Sequence, residues 1–111
     1  MKLNIAERIA LLNVLPPQGS LVELRIVREL QSQLAFSETE MKRFKMKNNR
    51  TPDGIAFVVW DSDFNKEPKD IKIGDVAKGI IVEQLKTLES RKMLRLEMLD
   101  LYEKFVDGKE T

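Results

Sequence analysis

Three helix-start signatures within the first forty residues constrain this chain more than any other feature. Asn4 and Glu7, Ser20 and Glu23, and Ser37 and Glu40 each place a short polar side chain three residues ahead of a glutamate. In such a capping box the first side chain accepts from the amide of the third helical residue. The glutamate reaches back to the amide of the cap, so two donors that a helix start leaves orphaned are satisfied. Three starts so close together predict three consecutive helices in residues 1–45.

The apolar spacing agrees. Ile5, Ile9 and Leu12 form one face of a first helix, which Pro16-Pro17-Gln18-Gly19 ends. Leu21, Leu24, Val27, Leu30 and Leu34 form a stripe on the second, with Arg25, Arg28, Glu29 and Gln33 mostly between them. The third runs from about Glu38 to Arg43 or Lys45, with Phe36 and Met41 placed as a hydrophobic staple around its cap.

The pattern then changes. Thr51-Pro52-Asp53-Gly54 reads as a tight turn. Ile55–Trp60 is the best strand in the chain, being rich in β-branched and aromatic residues. Phe44–Lys47 alternates apolar and basic and is its expected antiparallel partner, with Lys45 and Lys47 on the polar side. Ile71–Ile73 is a candidate third strand. From Asp75, read as a cap, the helical pattern returns in Val76, Ile80, Ile81, Leu85 and Leu88. It breaks at Ser90 and Arg91 and resumes in Leu94, Met98, Leu101, Tyr102 and Phe105, with Gly108 as terminator and 109–111 as a frayed tail. The expected fold is therefore α+β and predominantly helical, one domain over 1–111. Its parts are N-terminal helices (1–45), a β-hairpin and loop in winged-helix-like order (44–73), and an antiparallel helical hairpin (75–107).

Composition narrows the chemistry. The chain has no cysteine and no histidine. A thiolate nucleophile, a Cys-ligated zinc and the commonest general acid–base are thereby excluded. No nucleophile elbow, Walker loop or dinucleotide-binding glycine pattern is present. An enzyme is not expected, nor a cofactor. No apolar run approaches the ~20 residues of a membrane span, and Met1–Arg8 lacks the apolar stretch of a secretory signal. No membrane association is expected, and cytoplasmic residence is.

Three constellations remain. Lys42, Arg43, Lys45, Lys47 and Arg50 form a basic cluster with no acidic residue between Met41 and Pro52. In a winged helix the second capped helix enters the major groove and the hairpin touches the backbone, so these five side chains would meet phosphates. Against this, the presumptive reading helix opens with Glu38 and Glu40, better explained by capping and the helix dipole. The net charge is only +1, from 19 basic and 18 acidic residues, whereas nucleic-acid binders carry a basic surplus. Asp61-Ser62-Asp63-Phe64-Asn65 matches half of a calcium loop, but Lys66 stands where the loop needs glycine and Lys72 where it needs its closing glutamate. No metal is expected. Lastly, Val82 and Leu96 fall off the main apolar stripes, as does Ile26, which points to a face that meets another protein or a second copy.

Several fragments carry a resemblance. Leu11-Leu12-Asn13-Val14-Leu15-Pro16-Pro17-Gln18-Gly19, Leu34-Ala35-Phe36-Ser37-Glu38-Thr39-Glu40 and Leu101-Tyr102-Glu103-Lys104-Phe105 resemble pieces of small uncharacterised bacteriophage and prophage proteins. The resemblance implies a phage or bacterial origin and an accessory role in binding a host or virion protein. It assigns no site residues. The function expected from the residues is non-catalytic protein–protein interaction; the alternative is winged-helix-like DNA binding through Lys42–Arg50.

Overall fold

The computed structural model describes residues 1–61, 63–64 and 67–108. All three boxes close. Asn4 Oδ1 accepts from the Glu7 amide at 2.8 Å, Ser20 Oγ from Glu23 at 3.1 Å and Ser37 Oγ from Glu40 at 3.1 Å, and each glutamate accepts in return from the cap amide. They open α1 (Ile5–Val14), α2 (Leu21–Leu34) and α3 (Glu38–Arg43).

Helix α1 lies at the centre. It meets α2, the C-terminal helices α4 (Asp75–Ser90) and α5 (Leu99–Phe105), and the 3-10 turn Leu96–Met98. Neighbours on several sides bury Ile5, Ala10, Leu11 and Val14, whereas Ile9 and Leu12 of the expected stripe are only partly covered. A helix that is apolar nearly all round belongs inside, and a single stripe understates it. Val27, Leu30 and Leu34 of α2, Ile80, Ile81 and Leu85 of α4, and Met98, Leu101 and Phe105 complete the core. The N-terminal half of the α2 stripe departs from expectation: Leu21 and Leu24 are exposed. Periodicity shows which side of a helix faces inward; it does not show how far along that side a neighbour extends.

The C-terminal region keeps its apolar spacing but not its continuity. Gly74, not Asp75, is the cap of α4. The helix ends where Lys92 adopts a left-handed φ of 56°. The Lys92 amide donates to Glu89 O at 3.0 Å and the Met93 amide to Leu88 O at 2.8 Å, a Schellman ending. Met93 to Arg95 form no helix, so Leu94 precedes helical structure and the second arm is the 3-10 turn followed by seven residues of α5. Gly108 has φ 70°, consistent with a helix-ending role. The tail at 109–111 lies outside the described residues.

Among the described residues, two small antiparallel sheets complete the architecture, so the fold is mixed α+β and mostly helical. β1 (Lys2–Leu3) pairs with β4 (Lys69–Asp70). The candidate third strand is thus displaced to Lys69–Asp70 and belongs to the body; Ile71 itself is buried in the core. β2 (Lys47–Arg50) pairs with β3 (Ala56–Val59). The expected partner, Phe44–Lys47, is corrected to Lys47–Arg50. Phe44 caps α3, and Lys45 takes a φ of 55°. The amides of Lys45 and Met46 donate to Lys42 O and Met41 O, a second Schellman ending that consumes the residues ahead of the strand.

Candidate interaction surface

The hairpin is built by local chemistry. Gly54, at φ 85°, donates to Thr51 O at 2.9 Å and closes the turn, while the Ile55 amide donates to Thr51 Oγ1 at 3.1 Å. Beyond the turn, Lys47 pairs with Val59, Asn48 with Val58, Asn49 with Phe57 and Arg50 with Ala56. Side chains alternate across a strand, so Lys47, Asn49, Phe57 and Val59 share one face, and Asn48, Arg50, Ala56 and Val58 the other. No residue of either strand joins the core. Ile55 is 63% exposed, Phe57 41% and Val59 36%. The most strand-prone run of the chain stands outside the body.

What fixes the hairpin to the body is an aromatic and ionic junction. The Asp61 amide donates to Phe44 O at 2.9 Å. Phe44, buried, meets Phe36 edge-on at 6.5 Å and Phe64 at 5.2 Å. Arg8 of α1 lies over the Phe36 ring at 3.9 Å. Its side chain is buried. Nε donates to Leu34 O at 3.3 Å, Nη2 to Ala35 O at 2.8 Å and Nη1 to Glu40 Oε2 at 2.8 Å. Arg8 thereby covers the open carbonyl end of α2 and holds the glutamate that caps α3. Burial alone would raise the Glu40 pKa. The Arg8 hydrogen bond, the Ser37 amide and the charges of Arg8 and Lys69 outweigh it and hold the carboxyl at about 2. Such a group stays ionised near neutrality and is a poor proton acceptor. The open recess of about 690 Å³ beside it therefore gains no acid–base partner from Glu40.

Sequence reasoning missed Arg8. The available signal is that Glu7 and Arg8 are the only charged residues of a mostly apolar helix, and both are buried. Glu7 meets Lys104 Nζ at 2.6 Å.

The basic cluster does not form one strip. Arg43 is engaged with Glu67 at 2.6 Å and lies 5.4 Å from the Phe64 ring centroid. Lys42 is on α3, Lys45 occupies the left-handed residue after it, and Lys47 and Arg50 are on opposite faces of β2. Lys45 and Lys47 are therefore not neighbours on the polar side of a strand. The off-stripe apolar residues also divide. Val82 and Ile26 are partly buried against the core, because α4 and α2 each meet neighbours over an arc wider than one stripe. Leu96 is 86% exposed, with Met93 and Leu99 exposed three residues to either side. In the half calcium loop, Asp61 Oδ1 accepts from the Asp63 amide at 3.1 Å, the geometry of a local turn. Ser62, Asn65 and Lys66 lie outside the described residues. Among the described residues, no group of three or more acidic side chains converges as a metal would need, and no helix is long and apolar enough to cross a membrane.

Comparison with protein-family models, with curated proteins and with solved structures gave no match.

Proposed function

We propose that this chain is a non-catalytic protein–protein interaction module whose β2–β3 hairpin is the arm that meets the partner. One observation carries the reading: Ile55, Phe57 and Val59, from the most strand-prone run in the chain, are exposed to solvent. A domain ordinarily buries such a run. Apolar side chains grouped at the surface and rimmed by polar residues mark binding sites. The rim here is Lys47, Asn48, Asn49 and Arg50, all exposed. The resemblance to phage and prophage proteins supports an accessory role in a bacterial cytoplasm, with a host or virion protein as partner.

Several observations weigh against the DNA-binding alternative. Helix α3 has only six residues and opens with acidic ones. Glu40 is committed to Arg8, and Arg43 to Glu67. Lys47 and Arg50 lie on opposite faces of β2. The test compares wild type, Phe57→Asp and the double reversal Lys42→Glu/Lys45→Glu, each coupled to beads in nuclease-treated bacterial lysate. A protein retained by wild type and by the reversal, but lost with Phe57→Asp, supports the interaction reading. Titration with labelled duplex DNA supplies the opposing outcome. Tight binding with a steep salt dependence, abolished by the reversal, would replace it with the alternative.

A further inference from the structure

We infer that the edge of β3 that no described strand pairs joins the same edge of a second copy of this chain, forming a four-stranded antiparallel sheet across a two-fold axis at Phe57. The inference rests on the reading of the hairpin as an interaction arm and adds a second copy as an occupant of its outer edge.

The ladder shows which backbone groups are available. The Thr51 amide donates to Ile55 O at 2.9 Å. Hydrogen-bonded and non-hydrogen-bonded pairs alternate along an antiparallel ladder, so Asn49–Phe57 and Lys47–Val59 are the bonded pairs. The amides and carbonyls of Ala56 and Val58 therefore point away from β2, towards the open edge.

The two edges of the hairpin differ in chemistry. Exposed edges are normally blunted by lysine, proline or inward charge. The β2 edge carries Lys47 and Arg50. From Ile55 to Trp60 the other edge carries no charged residue and no proline.

The β3 edge is also self-complementary. With a two-fold axis at Phe57, Phe57 of one copy faces Phe57 of the other, Ile55 faces Val59 and Ala56 faces Val58. Every cross-strand pair is apolar against apolar, the arrangement that stabilises sheets. Ala56 and Val58 of each copy exchange hydrogen bonds, four in all. Strands lie about 4.8 Å apart, so the two β2 strands are separated by three spacings, about 14 Å. That exceeds the ~8 Å screening length at physiological salt, and the like charges of Lys47 and Arg50 on the two copies do not oppose association. The same charges line both outer edges and stop further strand addition, so the contact closes as a dimer. An edge this short buries less than the ~1,000 Å² of a stable interface. The association is accordingly weak, with a dissociation constant of about 10 μM to 1 mM.

The absence of native cysteine makes the register measurable by single thiols. Phe57→Cys places two sulfurs across a non-hydrogen-bonded pair with Cα atoms about 4.5 Å apart, within disulfide reach. Ile55→Cys lies about 14 Å from its own copy but opposite position 59. The expected result is that Phe57→Cys crosslinks alone under mild oxidation, and that Ile55→Cys crosslinks only when mixed with Val59→Cys. Sedimentation of the wild type should show mass rising towards a dimer over about 10 μM to 1 mM. Val58→Pro removes an outward donor without touching the β2 ladder; it should abolish that rise while circular dichroism is unchanged. Wild type that stays monomeric at 1 mM, or thiols that crosslink without regard to position, would overturn the proposal. If the monomeric protein still captures a lysate protein through Phe57, the interaction reading survives and the self-pairing alone fails.

Discussion

Helix α1 and the Ile55–Val59 segment are both short and rich in apolar residues, yet they end in opposite places. α1 contains Glu7 and Arg8, and it is the most enclosed element of the body. β3 contains no charge, and it stands in solvent. The difference lies in neighbours, not hydropathy. α1 has helices on several sides, and its charged residues are buried with partners already in place: Glu40 and two carbonyls for Arg8, Lys104 for Glu7. β3 has β2 along one edge and nothing of the core behind it. Burial is thus set by what surrounds an element, and a charged helix can be interior while an apolar strand is not.

The contrast breaks most sharply at Arg8. Arg8→Ala takes the side-chain donor from the carbonyls of Leu34 and Ala35 and leaves Glu40 with only the Ser37 amide and the Lys69 charge, in a mostly buried place. The expected loss is about 3–5 kcal/mol in chemical denaturation. A loss under 1 kcal/mol would show that the junction is wet and that α1 is less central than described.

Acid should expose the same junction next. Glu40 falls from an ordinary 4.5 to about 2 on folding. A carboxyl depressed by folding contributes stability that is complete above its unfolded value and is lost as pH falls towards the folded one. Stability is expected to fall between pH 4.5 and 2, by less than the full ~1.36 kcal/mol per unit because solvent screens this partly exposed carboxyl. A urea series across this range should show it, and Glu40→Gln should flatten that part of the slope. An unchanged slope would mean that Arg8 does not govern Glu40.

A smaller effect belongs to the start of α3. Ser37→Ala removes the oxygen that accepts the Glu40 amide at 3.1 Å, with an expected cost of about 1 kcal/mol. An unchanged denaturation midpoint would mean that the box contributes nothing beyond what Arg8 already holds. The smallest effect is expected in the hairpin. Phe57→Ser should change global stability by less than about 0.5 kcal/mol, as surface substitutions do. A loss above 2 kcal/mol would place β3 in the cooperative core and erase the comparison.

Much of the local structure was legible because its causes are local. Each capping box is decided within four residues, as is the turn at Thr51–Gly54. Other features depend on distant parts of the chain and left little trace. Arg8 acts on residues 26 to 32 positions away, and only its isolation in an apolar helix hinted at burial. The three-residue displacement of β2 arose because Phe44, Lys45 and Met46 were taken by the helix ending, which a lysine in a left-handed conformation does not announce as glycine would. Of the candidate surface residues, Leu96 stayed exposed while Val82 and Ile26 were drawn against the core, since the width of a buried arc depends on how many helices adjoin it. The strand, Ala56–Val59, lies within the predicted Ile55–Trp60 run, but its position outside the core left no trace in the sequence, because propensity describes backbone preference and says nothing of cover.

The Arg8 junction also bears on the order in which the chain assembles. α2 and α3 carry their own start signals within nearby residues. α1 cannot settle into the interior with Arg8 unpaired, because an ion without its counter-charge is costly to desolvate. Docking of α1 and closure of the α2–α3 corner are therefore expected to be coupled through Arg8, each favouring the other. Amides of α1 and of residues 34–40 should exchange with solvent through one shared opening, whereas those of the hairpin open independently and sooner.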